Sequence, residues 1–341
     1  MSDIAEKIDL IRQEWGDRLL VLGHHYQRSS VVEHADAAGD SLELARKAAQ
    51  DKAVERIVFC GVHFMAESAD ILSGADQTVY MPETTAGCPM ADMADAADME
   101  AAWQVLDSHG GDWLPVVYVN STAEVKAVCG RHGGSCCTSS NAAKVFKWAF
   151  DQGKRVFFLP DEHLGANSAH DLGIPDEQVV LYDPRLPQGG LSDAELDEAR
   201  VVVWKGFCIV HQAFSVAQIK LIREQMPEAR IIVHPESPKE AVRLCDAHGS
   251  TAQIIDYVNN AADGETIVIG TEFNLVQRLA ELHKDRLQIK ALKASVCANM
   301  AKTSEENLLR LLEEWDAGAI IRVEPEVAAE ARLSLERMLA I

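Results

Sequence analysis

The chain repeats one pattern along its length. A short run rich in Val, Ile and Phe ends in polar residues, and a helix-start signal follows. The runs are 19–22, 57–60, 116–119, 156–159, 201–204, 231–233 and 267–269. Runs this short and apolar suit strands buried on both faces, and parallel strands need long crossovers that helices supply. Between them lie capping patterns. Ser237-Pro238-Lys239-Glu240 predicts Ser237 at an N-cap, with Gly249 stopping that helix. Ser121 with Glu124, Ser250 with Gln253 and Thr303 with Glu306 have the same spacing. The alternation predicts an α/β fold of parallel sheets flanked by helices, and 341 residues suffice for two or three cores. The stretch 184–190 reads as turns, and 191–200 as a short acidic surface helix within an insertion.

Charge narrows the function. Acidic residues outnumber basic ones 53 to 32, a formal net charge of -21. A field of that sign repels phosphate backbones, so nucleic acid is excluded as a partner, and any anionic substrate needs local donors. No run approaches the length of a membrane helix, so no membrane partner is expected. The opening MSDIAEKIDLIRQEW reads as an amphipathic helix rather than a secretory signal, which places the chain in the cytosol. There, eight cysteines are thiols or metal ligands rather than disulfides.

Parallel sheets bind ligands beyond the C-terminal ends of their strands. His24, His25 and Tyr26, then Tyr118 and Asn120, then Cys208 and His211, then His234 and Glu236 fall there. Among the cysteines, Cys60 and Cys245 read as small buried hydrophobes. Cys129, Cys136 and Cys137 lack a CxxC spacing. Cys88, Cys208 and Cys297 each sit in a loop context, separated by enough chain for a small α/β unit. Spacing leaves two readings open: three unrelated loop cysteines, or three that meet at a metal. There is neither a P-loop nor a GxGxxG turn after a strand.

A series of motifs resembles the quinolinate synthases nearly end to end. It includes Gly23-His24-His25-Tyr26-Gln27, Gly39-Asp40-Ser41, Gly87-Cys88-Pro89-Met90, Tyr118-Val119-Asn120-Ser121 and Thr138-Ser139-Ser140-Asn141. Further on come Pro160-Asp161-Glu162-His163, Gly206-Phe207-Cys208-Ile209-Val210-His211, His234-Pro235-Glu236-Ser237-Pro238 and Gly249-Ser250-Thr251. The resemblance implies three similar αβα domains in pseudo-threefold arrangement around a central cavity. Their expected extents are 1–86 with 299–341, 87–207 with an insertion near 181–200, and 208–298. It also implies an oxygen-sensitive [4Fe–4S] cluster on Cys88, Cys208 and Cys297. The implied reaction condenses iminoaspartate with dihydroxyacetone phosphate to quinolinate in de novo NAD biosynthesis, with transient contact to the L-aspartate oxidase that supplies iminoaspartate. Two features depart from some members. Ala298, Asn299 and Met300 replace a CxxCxxC run after Cys297, so no redox switching is expected there, and the 181–200 segment is long.

Under this reading Tyr26, Glu236 and His211 are the catalytic candidates. A buried Glu236 with a raised pKa would serve as acid or base near neutrality. His24, Ser41, Tyr118, Asn120, Ser139, His234, Glu236, Ser250 and Thr251 are expected to bind substrate. Ser41, Ser139, Ser250 and Thr251 also suit helix N-caps, where anions bind. His25 is expected to pack away from the site, and Asp161 and His163 to serve a domain interface. Two rival readings remain: a mononuclear zinc lyase or hydrolase using His24, His211 and His234, and a non-catalytic solute-binding module.

Overall fold

The computed structural model describes residues 3–50, 54–110 and 112–341. Three sheets follow one another along the chain. The first contains β1 (Leu19–His24), β2 (Ala37–Gly39), β3 (Arg56–Cys60) and β4 (Thr78–Tyr80). The second contains β5 (Trp113–Tyr118), β6 (Ser135–Cys137), β7 (Arg155–Leu159), β8 (Val179–Tyr182) and β9 (Val201–Trp204). The third contains β10 (Arg230–Val233), β11 (Ala247–His248), β12 (Thr266–Gly270) and β13 (Gln288–Ala291). Finally β14 (Ile320–Ile321) returns to the first sheet.

The strand orders are β14-β4-β3-β1-β2, β6-β5-β7-β9-β8 and β11-β10-β12-β13. Without β8 and β14, each sheet has the same arrangement: its first strand lies between its second and third, and the last strand lies outside the third. All pairs are parallel except β14 with β4. The extra edge strand β8 opens the predicted insertion, whose acidic helix is Asp193–Glu198 with a Ser192–Glu195 capping box. All seven apolar runs are strands or extend them, and β1, β5 and β9 are buried at every position, as helices on both faces require.

The predicted helix starts needed correction at three places. Thr122, not Ser121, caps the helix Ala123–Arg131 by accepting from Val125 N–H. Ser304, not Thr303, forms the capping box of Glu305–Glu314. Ser237 caps nothing: Lys239–Val242 is a single turn, and Ala247–His248 is a strand, so Gly249 ends no helix. The passed-over hydroxyls of Ser121, Ser237 and Thr303 are buried without a hydrogen-bond partner. Packing sets the phase of each helix, and a one-residue shift turns the predicted hydroxyl inward. The N-terminal helix is Asp3–Trp15, the first two residues of its predicted span lying outside the described residues. Leu10 faces solvent there, at 64% exposure.

The largest buried core runs without a break from the first sheet into the second, and the third unit keeps separate cores. The C-terminal helix Pro325–Ala340 ties the first two units together. It lies so close to Ala123–Arg131 that a Cβ at Gly130 would come 2.0 Å from the Glu330 carbonyl oxygen. Among the described residues no helix is long and apolar enough to cross a membrane.

Candidate active site

The C-terminal ends of all three sheets give onto one cavity. His24 and Tyr26 reach it from the end of β1, and Ser41 follows β2. Tyr118 closes β5, with Asn120 just beyond, and Ser139 follows β6. From the third sheet come His234 and Glu236 after β10 and Thr251 after β11. Cys88, Cys208, His211 and Cys297 complete the set. Of the residues expected to catalyse, bind substrate or hold a cluster, Ser250 alone does not line the cavity: it is fully buried, and its hydroxyl caps Thr251–Asn259 by accepting from Gln253 N–H.

The three cysteines occupy equivalent places. Each lies in the loop after the last strand in its sheet's shared order, β4, β9 or β13, and each leads into a single 3₁₀ turn, Ala91–Met93, His211–Ala213 or Met300–Lys302. Each cysteine carbonyl accepts from the backbone four residues on: Asp92 at 3.2 Å, Gln212 at 2.9 Å and Ala301 at 3.0 Å. The backbone of each turn partly offsets the effect of burial on its thiol. Below each loop the next helix begins alike. His63, Glu162 and Phe273 donate N–H to Ala86, Gly206 and Ser295, two residues before the respective cysteine. Burial pushes the Cys88 thiol up to about 12 and also raises Cys208 and Cys297. Neutral thiols are therefore the resting form, and only a strong positive partner would take them to thiolates.

A hydrogen-bonded network faces these sulfurs. Tyr118 Oη donates to Glu236 Oε1 at 2.5 Å, and His211 Nδ1 meets Glu236 Oε2 at 2.6 Å. His211 Nε2 lies 3.2 Å from Thr271 Oγ1 and 3.4 Å from Tyr26 Oη, which is itself 2.9 Å from Thr271 Oγ1 and takes a bond from Thr251 at 3.3 Å. The His211 and His234 rings stack, with centroids 4.3 Å apart.

Burial pushes the Glu236 carboxyl up, but His234, His211 and the bonds from His211 and Tyr118 outweigh it and hold the group below the ordinary range. This corrects the raised value expected from burial alone. An ionised carboxylate only accepts, so His211 carries a proton on Nδ1 and turns Nε2 toward Thr271 and Tyr26. Burial, then the Glu236 charge, raise Tyr26 and Tyr118 well above 10, so both phenols stay protonated. Burial lowers His24 and His234 to about 3, so both are neutral. Their Nδ1 atoms accept from the backbone N–H of Tyr26, at 3.1 Å, and of Glu236, at 3.3 Å, leaving Nε2–H as the donor.

Other expectations changed in detail. Asp40, not Ser41, caps Ser41–Gln50, accepting from the N–H groups of Leu42 and Glu43. Ser139 lies ahead of the helix Ala142–Asp151 and caps nothing; the turn before it is held by Thr138 and Asn141. Asp161, assigned to an interface, is fully buried and caps Glu162–Asp171, its Oδ1 accepting from Leu164 N–H while its Oδ2 has no partner. His25 does not line the cavity. Sequence reasoning missed Thr271 and Glu272, although Gly270-Thr271-Glu272 stands at a strand end like the residues it did select. Among the described residues, one set of three could reach a single ion, Cys208 with His211 and Glu236; His24, His211 and His234 do not form such a set.

Fold and site together define a class: an α/β enzyme with an acid–base network and three equivalent cysteine loops around one cavity. A family model described as "Quinolinate synthetase A protein" matches residues 6–340. Curated proteins named quinolinate synthase are similar over the whole chain. The one from Geobacillus thermodenitrificans is 47% identical over 346 residues, covering 100% of this chain and 94% of the relative. Those from Lysinibacillus sphaericus and Bacillus subtilis are each 46% identical, with the same coverage. The chain belongs to the quinolinate synthetase A family.

Proposed function

We propose that the chain makes quinolinate from iminoaspartate and dihydroxyacetone phosphate, releasing phosphate and water, in de novo NAD biosynthesis. The observation that carries this reading is the convergence of three equivalent cysteine loops on a cavity that also holds the Glu236–His211–Tyr26 network. The cysteines suit a [4Fe–4S] cluster. Thiolates are the donors such clusters take, and the backbone of each turn favours the thiolate form against burial. One tetrahedral ion would draw its sulfurs to within about 4 Å. A cluster gives each thiolate its own iron, and Cys88, Cys208 and Cys297 form no single-ion set among the described residues. Bound there, the cluster would supply an iron without a protein ligand, a Lewis acid for dehydration.

The chain's own residues do the rest. Ser41, Ser139 and Thr251 offer hydroxyls to the carboxylates and phosphate of the substrates, offsetting the acidic exterior. The Nε2–H groups of His24 and His234 add neutral donors, and Asn120 offers a buried Oδ1 that no protein group engages. Glu236 holds His211 in the tautomer whose Nε2 takes a proton, and the Tyr26 phenol beside it gives one. Val62, Phe64, Met65 and Met300 wall the cavity with apolar surface that keeps water from the imine. The same reading takes the three units as 1–86 with 299–341, 87–207 and 208–298, related by a pseudo-threefold axis. It places the enzyme in the cytosol, where cysteines stay reduced. A transient contact with L-aspartate oxidase would shorten the exposure of iminoaspartate to water.

An anaerobic count of iron and acid-labile sulfide, run beside a quinolinate assay, tests the reading. About four of each per chain, with turnover, is the expected result. Cys88→Ser, Cys208→Ser and Cys297→Ser should each lose cluster absorbance and activity, whereas Cys60→Ser and Cys245→Ser keep both. Stoichiometric zinc without sulfide would favour a single ion on Cys208, His211 and Glu236 instead.

A further inference from the structure

Glu272 and Asn274 stand outside the acid–base network, yet they join two of its supports. Glu272 is fully buried at the start of the helix Phe273–Leu282, immediately after Thr271, which bonds Tyr26. Its Oε2 caps the helix, accepting from Asn274 N–H at 2.7 Å and Leu275 N–H at 3.4 Å. Its Oε1 accepts two further bonds: from the backbone N–H of Cys297 at 3.3 Å and from Asn274 Nδ2 at 3.1 Å. The same Asn274 Nδ2 donates to the Tyr26 carbonyl at 3.2 Å. One turn on, Arg278 donates to the carbonyls on either side, His25 at 2.6 Å and Gln27 at 3.2 Å. Three consecutive carbonyls of the Tyr26 loop are thus held by one helix of the third unit.

This contact crosses a break in the core. The first and third units have separate apolar clusters, and Tyr26 packs against both. The loop bearing Tyr26 is therefore held from outside its own unit as well, by polar bonds from Phe273–Leu282. No counterpart serves the first cysteine. The helix below Cys88 has Val62 at its N-cap and no side-chain cap, whereas Asp161 and Glu272 cap the helices below Cys208 and Cys297, and Glu272 also holds the Cys297 backbone.

We propose that Glu272 and Asn274 are positioning residues that couple the Cys297 loop to the Tyr26 loop, so that an ordered Cys297 turn fixes Tyr26 over the cavity. When the Cys297 turn is set, Glu272 Oε1 is fixed by its N–H and in turn fixes the Asn274 amide against the Tyr26 carbonyl. When that turn loosens, Glu272 and Asn274 lose a shared anchor, and Tyr26 is free to leave Thr271 and His211. Filling the cysteine site thereby closes the catalytic loop at a distance. The inference rests on Cys297 being a cluster ligand.

The test is hydrogen–deuterium exchange on the full chain, kept anaerobic, before and after cluster reconstitution, with iron counted on the same samples. In the unaltered chain, loading should slow exchange across residues 23–28 by about tenfold or more. Asn274→Asp keeps the shape but loses both donors, and Asn274→Ala loses the amide altogether. Both should bind the full complement of iron, lose the loading-dependent slowing, and turn over about tenfold more slowly with KM changed less than about twofold. Unchanged exchange in β10 and β12 would show that the third unit is intact. Full iron uptake with no slowing at 23–28 in the unaltered chain overturns the coupling and leaves the cluster assignment standing. So do Asn274 variants that keep the slowing and the rate. A chain that takes up no cluster overturns both.

Discussion

After β1 the chain turns through His24 and Tyr26 into the one-turn helix Ser29–Val32; after β10 it turns through His234 and Glu236 into the one-turn helix Lys239–Val242. In both loops a histidine Nδ1 accepts the N–H two residues on. In both, an aspartate hooks back onto the strand: Asp36 accepts Val21 N–H at 2.7 Å, and Asp246 accepts Ile231 N–H at 2.6 Å. A short second strand follows, then a glycine and a capped helix, with Asp40 in one case and Ser250 in the other. The units differ at the residue that faces the cavity, a phenol in the first and a carboxylate in the third. Backbone groups leaving a buried strand must be bonded, so the turn is conserved between units by hydrogen-bond demand. The side chain two residues after the histidine has no part in that accounting and is open to chemistry.

The comparison can be broken at its two chemical positions first. Glu236→Gln removes the charge that holds His211 in its tautomer and accepts from Tyr118, and kcat should fall by about 10³. A rate within tenfold of the parent would remove the carboxylate from proton transfer. Tyr26→Phe should cost about 10² in kcat with iron and sulfide content unchanged, because its hydroxyl is the donor beside His211 and the ring still packs. Loss of cluster in that variant would mean that the two loops are not independent in function.

A smaller effect tests the shared histidine. Free histidine titrates near 6.5, while burial holds His24 and His234 near 3 and His25 near 4. Between those values the unfolded chain binds protons that the folded chain refuses. Stability of the cluster-free protein should therefore fall as pH drops below about 6.5, by up to about 1.4 kcal/mol per pH unit for each histidine. Glu272, raised by burial to about 7, works in the opposite sense between 4.5 and 7. Thermal melts of His24→Gln and His234→Gln should show a flatter acid limb, equally so if the two turns are equivalent. The smallest effect concerns the caps: Asp40→Ala and Ser250→Ala should each cost about 1 kcal/mol. Asp40 also takes a bond from Ser140 of the second unit, so a clear excess at Asp40 would measure that cross-unit contact.

The seven strands were legible because their signal is local: a strand buried on both faces must be apolar at successive positions, whatever surrounds it. The other strands escaped: β2, β4, β6, β11 and β14 have three residues or fewer and leave no periodicity to read, and β8 and β13 have four residues that are only partly buried. Ser250–Gln253 was legible as a cap, but Ser121, Ser237 and Thr303 were placed wrongly because neighbouring residues could serve equally and packing chose the phase. The family motifs named nearly all the side chains that line the cavity.

The ionisation of Glu236 lay beyond any reading of the chain. It depends on Tyr118, 118 residues away, and on His211, 25 residues away, outweighing the cost of burial. Thr271 and Glu272 were passed over for a related reason, since their partners, Tyr26 and Cys297, come from loops on other strands. The amino-acid sequence by itself determined the seven apolar strands, the alternation with helices and the residue types brought to those strand ends, because those follow from local pattern and composition. Only the tertiary structure decided which donor meets which acceptor, because charge and hydrogen bonding act across a few ångströms of space regardless of separation along the chain.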